Sequence, residues 1–83
     1  MDIKILGAGC ANCNKLEQMV LEVLKNLNEK ADVEHVKDFK EIASYGVMMT
    51  PALVVNGQVK LTGPLPSKDK LKNIITGEIN KRG

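Results

Sequence analysis

The two cysteines of the chain lie three positions apart, in the segment Cys10-Ala11-Asn12-Cys13. At the start of a helix, two thiols at this spacing can close a small disulfide ring, because the first helical turn brings positions i and i+3 together. The unpaired N–H groups of a helix start also favour a thiolate on the first cysteine. The spacing therefore predicts thiol–disulfide chemistry, with Cys10 as the nucleophile and Cys13 as the thiol that resolves a mixed disulfide.

The composition predicts one small domain over residues 1–83 with an aliphatic core, since 43% of residues are apolar and only Phe39 and Tyr45 are aromatic. The formal net charge of +2 is spread over interspersed Lys and Glu, which argues against nucleic acid as a partner. No apolar run approaches the roughly 20 residues that span a bilayer, and the N-terminus lacks a secretory pattern. These features predict a cytoplasmic protein without a membrane association.

Hydrophobic periodicity predicts the order β-α-β-α-β-β-α. The strands are expected over 2–6, 33–36, 51–55 and 58–61, and the helices over 13–27, from 38 to a stop at Gly46, and over 67–79, with a frayed tail at 81–83. Asn56-Gly57 is typical of a type I′ hairpin turn. The first β-α-β unit is expected to be a parallel crossover and the final hairpin antiparallel. If the strand that follows Pro51 lies antiparallel beside the first strand, Pro51 meets Cys10.

The motifs together resemble the thioredoxin superfamily, in particular its small thioredoxin-like and glutaredoxin-like redox proteins. They are the cysteine pair after the first strand, Thr50-Pro51 opening a hairpin about forty residues later, and Gly63 after the last strand. The resemblance implies a minimal thioredoxin fold, which is a four-stranded mixed sheet flanked by three helices. It also implies a disulfide reductase whose only redox group is the Cys10–Cys13 couple, without a bound cofactor or metal.

The same resemblance implies roles for the residues around the cysteines. Pro51 is expected to follow a cis peptide bond and to stack on the disulfide, while Thr50 offers backbone groups to a substrate peptide. Gly63 leaves room for that peptide, and Ala11, Asn12 and Met49 are expected to contact it. Met48 and Met49 could form either a soft-metal pair or a partner surface, and their position beside Thr50-Pro51 favours the surface. The implied partners are the disulfides of client proteins and an NAD(P)H-linked flavoprotein reductase, with the chain itself a monomer.

The chain departs from the family pattern at three places. Ala11-Asn12 is neither the Gly-Pro pair of thioredoxins nor the Pro-Tyr pair of most glutaredoxins. The buried acid that thioredoxins place six residues before the first cysteine falls on Lys4, which is either a base or, as we expect, a lysine that reaches the surface. Residues 63–67 lack the Gly-Gly and acid with which glutaredoxins bind glutathione, which favours a protein partner.

Other functions of the cysteine pair remain open. The thiols could be structural or half of a zinc site, although His35 reads as a strand residue because no second ligand accompanies it. The main alternative is a soft-metal module, because a Cys-x-x-Cys before an amphipathic helix also resembles copper chaperones of ferredoxin-like fold. Those proteins have Met where this chain has Ala8, and their order is β-α-β-β-α-β. A non-catalytic interaction domain is disfavoured because both cysteines are present.

Overall fold

The computed structural model describes residues 1–8 and 11–82, and their elements follow the predicted order. They are β1 (Asp2–Leu6), α1 (Ala11–Asn26), β2 (Asp32–Val36), α2 (Phe39–Ser44), β3 (Ala52–Val55), β4 (Gln58–Thr62) and α3 (Lys68–Arg82). The prediction of a frayed tail is wrong for Lys81 and Arg82, which belong to α3. Helix α1 begins two residues earlier than predicted, because Ala11 and Asn12 are exposed and add nothing to the apolar pattern. None of the helices in this part of the chain is long and apolar enough to cross a membrane.

The sheet has four strands in the order β2-β1-β3-β4. Strand β1 pairs in parallel with β2 and antiparallel with β3, so that Leu6 lies opposite Val36 on one side and Ala52 on the other. This register confirms the adjacency that the sequence left open, and it brings the start of β3 beside the end of β1. Asn56 and Gly57 both have positive φ angles (51° and 82°), as the predicted hairpin turn requires.

Apolar side chains fill both faces of the sheet. On one face, Ile3 and Ile5 pack with residues of α1 and α3, and this larger core comprises Ile3, Ile5, Leu16, Val20, Val23, Leu24, Leu53, Val55, Leu71 and Ile75. On the other face, Leu6, Val36, Ala52 and Val54 pack against Ile42 of α2. The predicted α/β fold with a mixed sheet and three helices is confirmed. Because α1 is held flat on the sheet, its first turn is fixed at the carboxyl end of β1.

Helix α2 has the ends that its sequence predicts. Asp38 is the N-cap, and its side chain accepts a hydrogen bond from the Lys40 N–H (3.2 Å). Gly46 follows the last turn with φ of 76°, and its N–H donates to the Ala43 carbonyl oxygen (2.9 Å). This short helix leads the chain directly into the segment before β3.

A buried carboxylate joins α3 to the hairpin. Glu78 is 6% exposed and forms an ion pair with Lys60 of β4. It also accepts from the Asn56 amide and from Lys81, each at 3.5 Å. The hydrogen bond from Lys60 lowers the pKa of Glu78 below its ordinary value, against the opposing effect of burial. No local pattern in the sequence predicts this buried ion pair, because Lys60 lies on another element.

The stability of the Glu78→Gln variant is expected to depend less on pH in the acid range than that of the wild type. A carboxylate whose pKa is lower in the folded state stabilises the fold fully above its unfolded pKa and loses that contribution as the pH falls through the folded one. The wild-type free energy of unfolding should therefore fall on acidification below about pH 4.5 more steeply than that of Glu78→Gln. Urea denaturation at several pH values measures this. Glu41→Gln, at an exposed position of α2, is the control and should keep the wild-type slope.

Candidate functional site

The predicted resolving cysteine, Cys13, lies in the first turn of α1. Its side chain is fully buried and is disulfide-bonded. Ala11 and Asn12, which precede it, are both exposed on the first turn. The predicted nucleophile Cys10 lies outside the described residues. A buried sulfur behind two exposed positions is the arrangement expected for the second, less accessible cysteine of the pair.

Gly7 lies directly against the sulfur of Cys13. A Cβ atom added at Gly7 would be 2.1 Å from Cys13 Sγ, 3.0 Å from Cys13 Cβ and 3.8 Å from Thr50 Cβ. Only a hydrogen atom fits between Gly7 Cα and the cysteine side chain, so position 7 requires glycine. Gly7 comes directly after the strand predicted over 2–6, and no role in the site was predicted for it. The signal for the larger role was a glycine placed between a buried strand and the cysteine pair.

The residues predicted to bind a substrate peptide form a second group beside the first. The Thr50–Pro51 peptide bond is cis, as predicted. The Gly63 N–H donates to the Pro51 carbonyl oxygen (2.9 Å), and a Cβ at Gly63 would be 3.3 Å from Met49 Cε. The structure therefore brings Met49, Pro51 and Gly63 together, and Thr50 links them to Gly7 and Cys13. Thr50 and Met49 are exposed, whereas Pro51 and Gly63 are buried.

Apolar side chains are exposed next to this group. Met48 is 98% exposed, Phe39 76% and Met49 58%. Phe39 and Met48 line a groove of about 240 Å³ that also contains Ile42, Val47 and Thr50. A larger groove of about 560 Å³ lies beside Met1 and Ala31 and contains none of the predicted site residues. The groove that contains Thr50 is thus the one that adjoins the predicted site residues.

Lys4 is engaged by a tyrosine. Its ammonium group donates to the Tyr45 hydroxyl oxygen (3.2 Å) and lies 5.9 Å from the centre of the ring. The hydrogen bond to Tyr45 raises the pKa of Lys4 above its ordinary value. Lys4 is therefore a cation at neutral pH, and the interpretation of Lys4 as a base is wrong. It does not replace the carboxylate found at this position in thioredoxins.

His35 of β2 contacts α1 and the residue that follows β1. Its Nδ1 lies 2.8 Å from Glu17 Oε1 of α1, and its Nε2 lies 3.1 Å from the carbonyl oxygen of Gly7. The side chain of His35 is 11% exposed and that of Glu17 is 36% exposed. The prediction that His35 is a strand residue is confirmed, since it lies in β2 opposite Ile5. Sequence analysis missed the contacts with Glu17 and Gly7.

Comparison with known proteins decides the family. Residues 1–76 match the family model of the thioredoxin domain. The chain belongs to the thioredoxin family. A thioredoxin of Methanothermobacter thermautotrophicus is 38% identical over 76 residues, which cover 92% of this chain and 99% of that protein. A thioredoxin of Methanocaldococcus jannaschii is 31% identical over 80 residues, covering 92% of each.

Membership of the thioredoxin family agrees with the fold and supports a thioredoxin-like redox function. It also bears on the copper-chaperone alternative. The observed order β-α-β-α-β-β-α differs from the β-α-β-β-α-β order of ferredoxin-like chaperones, so the described residues do not have the fold of those chaperones.

Proposed function

We propose that this protein is a thioredoxin-like protein disulfide reductase. Cys10 attacks a disulfide of a client protein, and one client sulfur leaves as a thiolate while a mixed disulfide forms. Cys13 then attacks Cys10, releases the second client sulfur and leaves the Cys10–Cys13 disulfide. Two electrons pass from the two cysteines to the client. The observation that carries the proposal is the burial of Cys13 in the first turn of α1, against Gly7 and beside Thr50, in a chain of the thioredoxin family.

The position of Cys13 supports the assigned order of attack. A fully buried sulfur is poorly accessible to a bulky protein disulfide but can still reach a neighbouring sulfur within the chain. Cys10 comes directly before Ala11, the first residue of α1, in the sequence. We expect the unpaired N–H groups of this helix start to favour its thiolate. Thus Cys10 is the better first nucleophile and Cys13 the better resolving thiol.

The surface around Thr50 supports a protein as the substrate. Thr50 is exposed, Phe39 and Met48 line the groove that contains it, and the exposed Met49 precedes it in the chain. Methionine side chains adapt to different partners, which suits a reductase with several clients. We propose that an extended client segment lies across Thr50, with Ala11 and Asn12 on one side and Gly63 on the other.

The proposal extends to the cellular context of the reaction. The protein works as a cytoplasmic monomer, and an NAD(P)H-linked flavoprotein disulfide reductase regenerates its dithiol. No bound cofactor is needed, because the cysteine pair itself carries the two electrons.

The Cys13→Ser variant is expected to accumulate covalent adducts with client proteins, whereas Cys10→Ser accumulates on the order of tenfold fewer, because its remaining thiol is buried. With Cys10 alone, attack still occurs but no neighbouring thiol releases the mixed disulfide. Tagged variants recovered from cell extract and run on a non-reducing gel measure this. Adducts must disappear when reductant is added.

The double variant with both cysteines replaced by serine is the matched control and should show no reducible adducts. Equal trapping by both single variants would contradict the assigned order of attack. Absence of trapping, together with binding of Cu(I) by the reduced wild type that either single variant weakens equally, would favour the metal-binding alternative instead.

A further inference from the structure

The contacts of His35 require a proton between two residues. The carbonyl oxygen of Gly7 can only accept, so Nε2 of His35 carries a hydrogen and donates it. Nδ1 faces a carboxylate oxygen of Glu17 at 2.8 Å. Two lone pairs at this distance repel each other, so a proton lies between them, either on the imidazole or on the carboxyl group. The hydrogen bond between His35 and Glu17 thus contains one proton that can lie on either side chain.

This pair is connected to Cys13 from two sides. Glu17 lies one turn beyond Cys13 on α1, and residues at i and i+4 have Cβ atoms about 5–6 Å apart. On the other side, His35 holds the carbonyl of Gly7, whose Cα hydrogen lies against Cys13 Sγ. The Glu17 side chain is 36% exposed, so its carboxyl group can also exchange protons with water. The pair can therefore both position Cys13 and exchange a proton with it.

The chemistry of the site calls for such a group. Cys13 gains a proton when the disulfide opens and gives one up when it closes. Lys4 stands at the position of the thioredoxin carboxylate, and Tyr45 holds it as a cation, so Lys4 cannot take a proton from a thiol. On the face of β2 that carries His35, the acidic side chain in contact with it is Glu17. Glu34, next along the strand, alternates to the opposite face, where it acts on Lys4.

We propose that His35 and Glu17 form a positioning pair that exchanges a proton with Cys13, which rests on the reductase function proposed above. The pair holds the proton while Cys13 is disulfide-bonded, as in the structure. When Cys13 attacks the mixed disulfide, its S–H proton passes to the pair, its sulfur bonds to Cys10, and the client sulfur leaves as a thiolate. In the reverse direction, Cys13 leaves Cys10 as a thiolate and takes the proton back.

Stopped-flow reaction of the reduced protein with the chromogenic aromatic disulfide DTNB separates the two steps. Attack by Cys10 releases one aromatic thiolate at a rate proportional to the reagent concentration. Attack by Cys13 releases the second at a rate independent of that concentration. Glu17→Gln keeps an oxygen that accepts from His35 but cannot take up a proton. We expect this variant to slow the second phase about tenfold, less than the loss of a direct general base because water still accepts protons, and to leave the first unchanged.

Two additional measurements separate proton exchange from a merely structural role. Imidazole added to the buffer should accelerate the second phase of Glu17→Gln and not that of the wild type, because an external base replaces the pair. His35→Gln should also slow the second phase. Glu22→Gln, the same substitution on the same helix at a residue paired with Lys68, should leave both phases unchanged.

An unchanged second phase in both site variants would overturn the proposal, as would a slower second phase that imidazole does not restore. Equal slowing of both phases would also overturn it, because that result indicates general damage to the fold. If the protein is not a reductase, the same stopped-flow measurement gives a different result. In that case the wild type would show no second release, whatever residue stands at position 17.

Discussion

The Gly7→Ala variant is expected to be destabilised by about 3 kcal/mol, the upper end of the usual cost of overpacking a core. Its new Cβ atom would lie 2.1 Å from Cys13 Sγ, closer than any non-bonded contact allows. The sulfur is buried and disulfide-bonded, so it cannot move aside, and the end of β1 must shift instead. Since stability is roughly 0.05–0.15 kcal/mol per residue, this loss is a large part of the total. Urea denaturation of the oxidised protein measures it.

Gly77→Ala is the matched control for Gly7→Ala. Gly77 lies inside α3, and a Cβ atom there would meet nothing within 4 Å. Because alanine is the better helix former, this variant should gain about 0.5–1 kcal/mol. The same substitution should thus lower the free energy of unfolding at Gly7 and raise it at Gly77. A Gly7→Ala protein as stable as the wild type would contradict the close packing of Gly7 against Cys13.

The Leu16→Ala variant is expected to lose about 2–5 kcal/mol, the usual cost of emptying a buried leucine site. Leu16 is fully buried in the core between the sheet and α1, one turn after Cys13. Its loss leaves a cavity under the helix that positions the cysteine. The midpoint of urea denaturation should therefore fall sharply.

Leu21→Ala tests whether burial causes that loss. Leu21 lies on the same helix and is 48% exposed, so helix propensity changes equally in the two variants. Its cost should be below about 1 kcal/mol, as is usual for surface substitutions. Similar losses in Leu16→Ala and Leu21→Ala would mean that α1 is not packed on the sheet as described.

Local patterns predicted the elements well. The apolar spacing predicted a helix over 13–27, and the residues that produce this spacing are buried in α1: Leu16, Val20, Val23 and Leu24. Asn56-Gly57 predicted the hairpin, because a type I′ turn needs two positive φ angles. The boundaries were less accurate. The exposed first residues of α1 and the charged last residues of α3 carry no apolar signal, so the pattern alone could not place the ends of these helices.

The candidate site was only partly predictable. The cysteine spacing and Thr50-Pro51 are local features, and they led to the thioredoxin family and to most of the predicted site residues. The role of Gly7 was not predictable, because a glycine after a strand has many possible causes. Glycine is required at position 7 because Cys13 Sγ occupies the space that a Cβ atom would need. The position of that sulfur depends on how α1 packs on the sheet.

The residue types and their order were enough to predict the β-α-β-α-β-β-α order and the thioredoxin likeness, because these depend on neighbours along the chain. The redox role of the cysteine pair is likewise a prediction from local spacing. The surroundings of Cys13 depended on the fold. The Lys4–Tyr45, His35–Gly7 and His35–Glu17 contacts join residues 41, 28 and 18 positions apart. The pairing of β1 with β2 and the packing of α1 bring them together. Hydrogen-bond partners are selected by distance in space, and residues so far apart along the chain become neighbours only when the sheet forms.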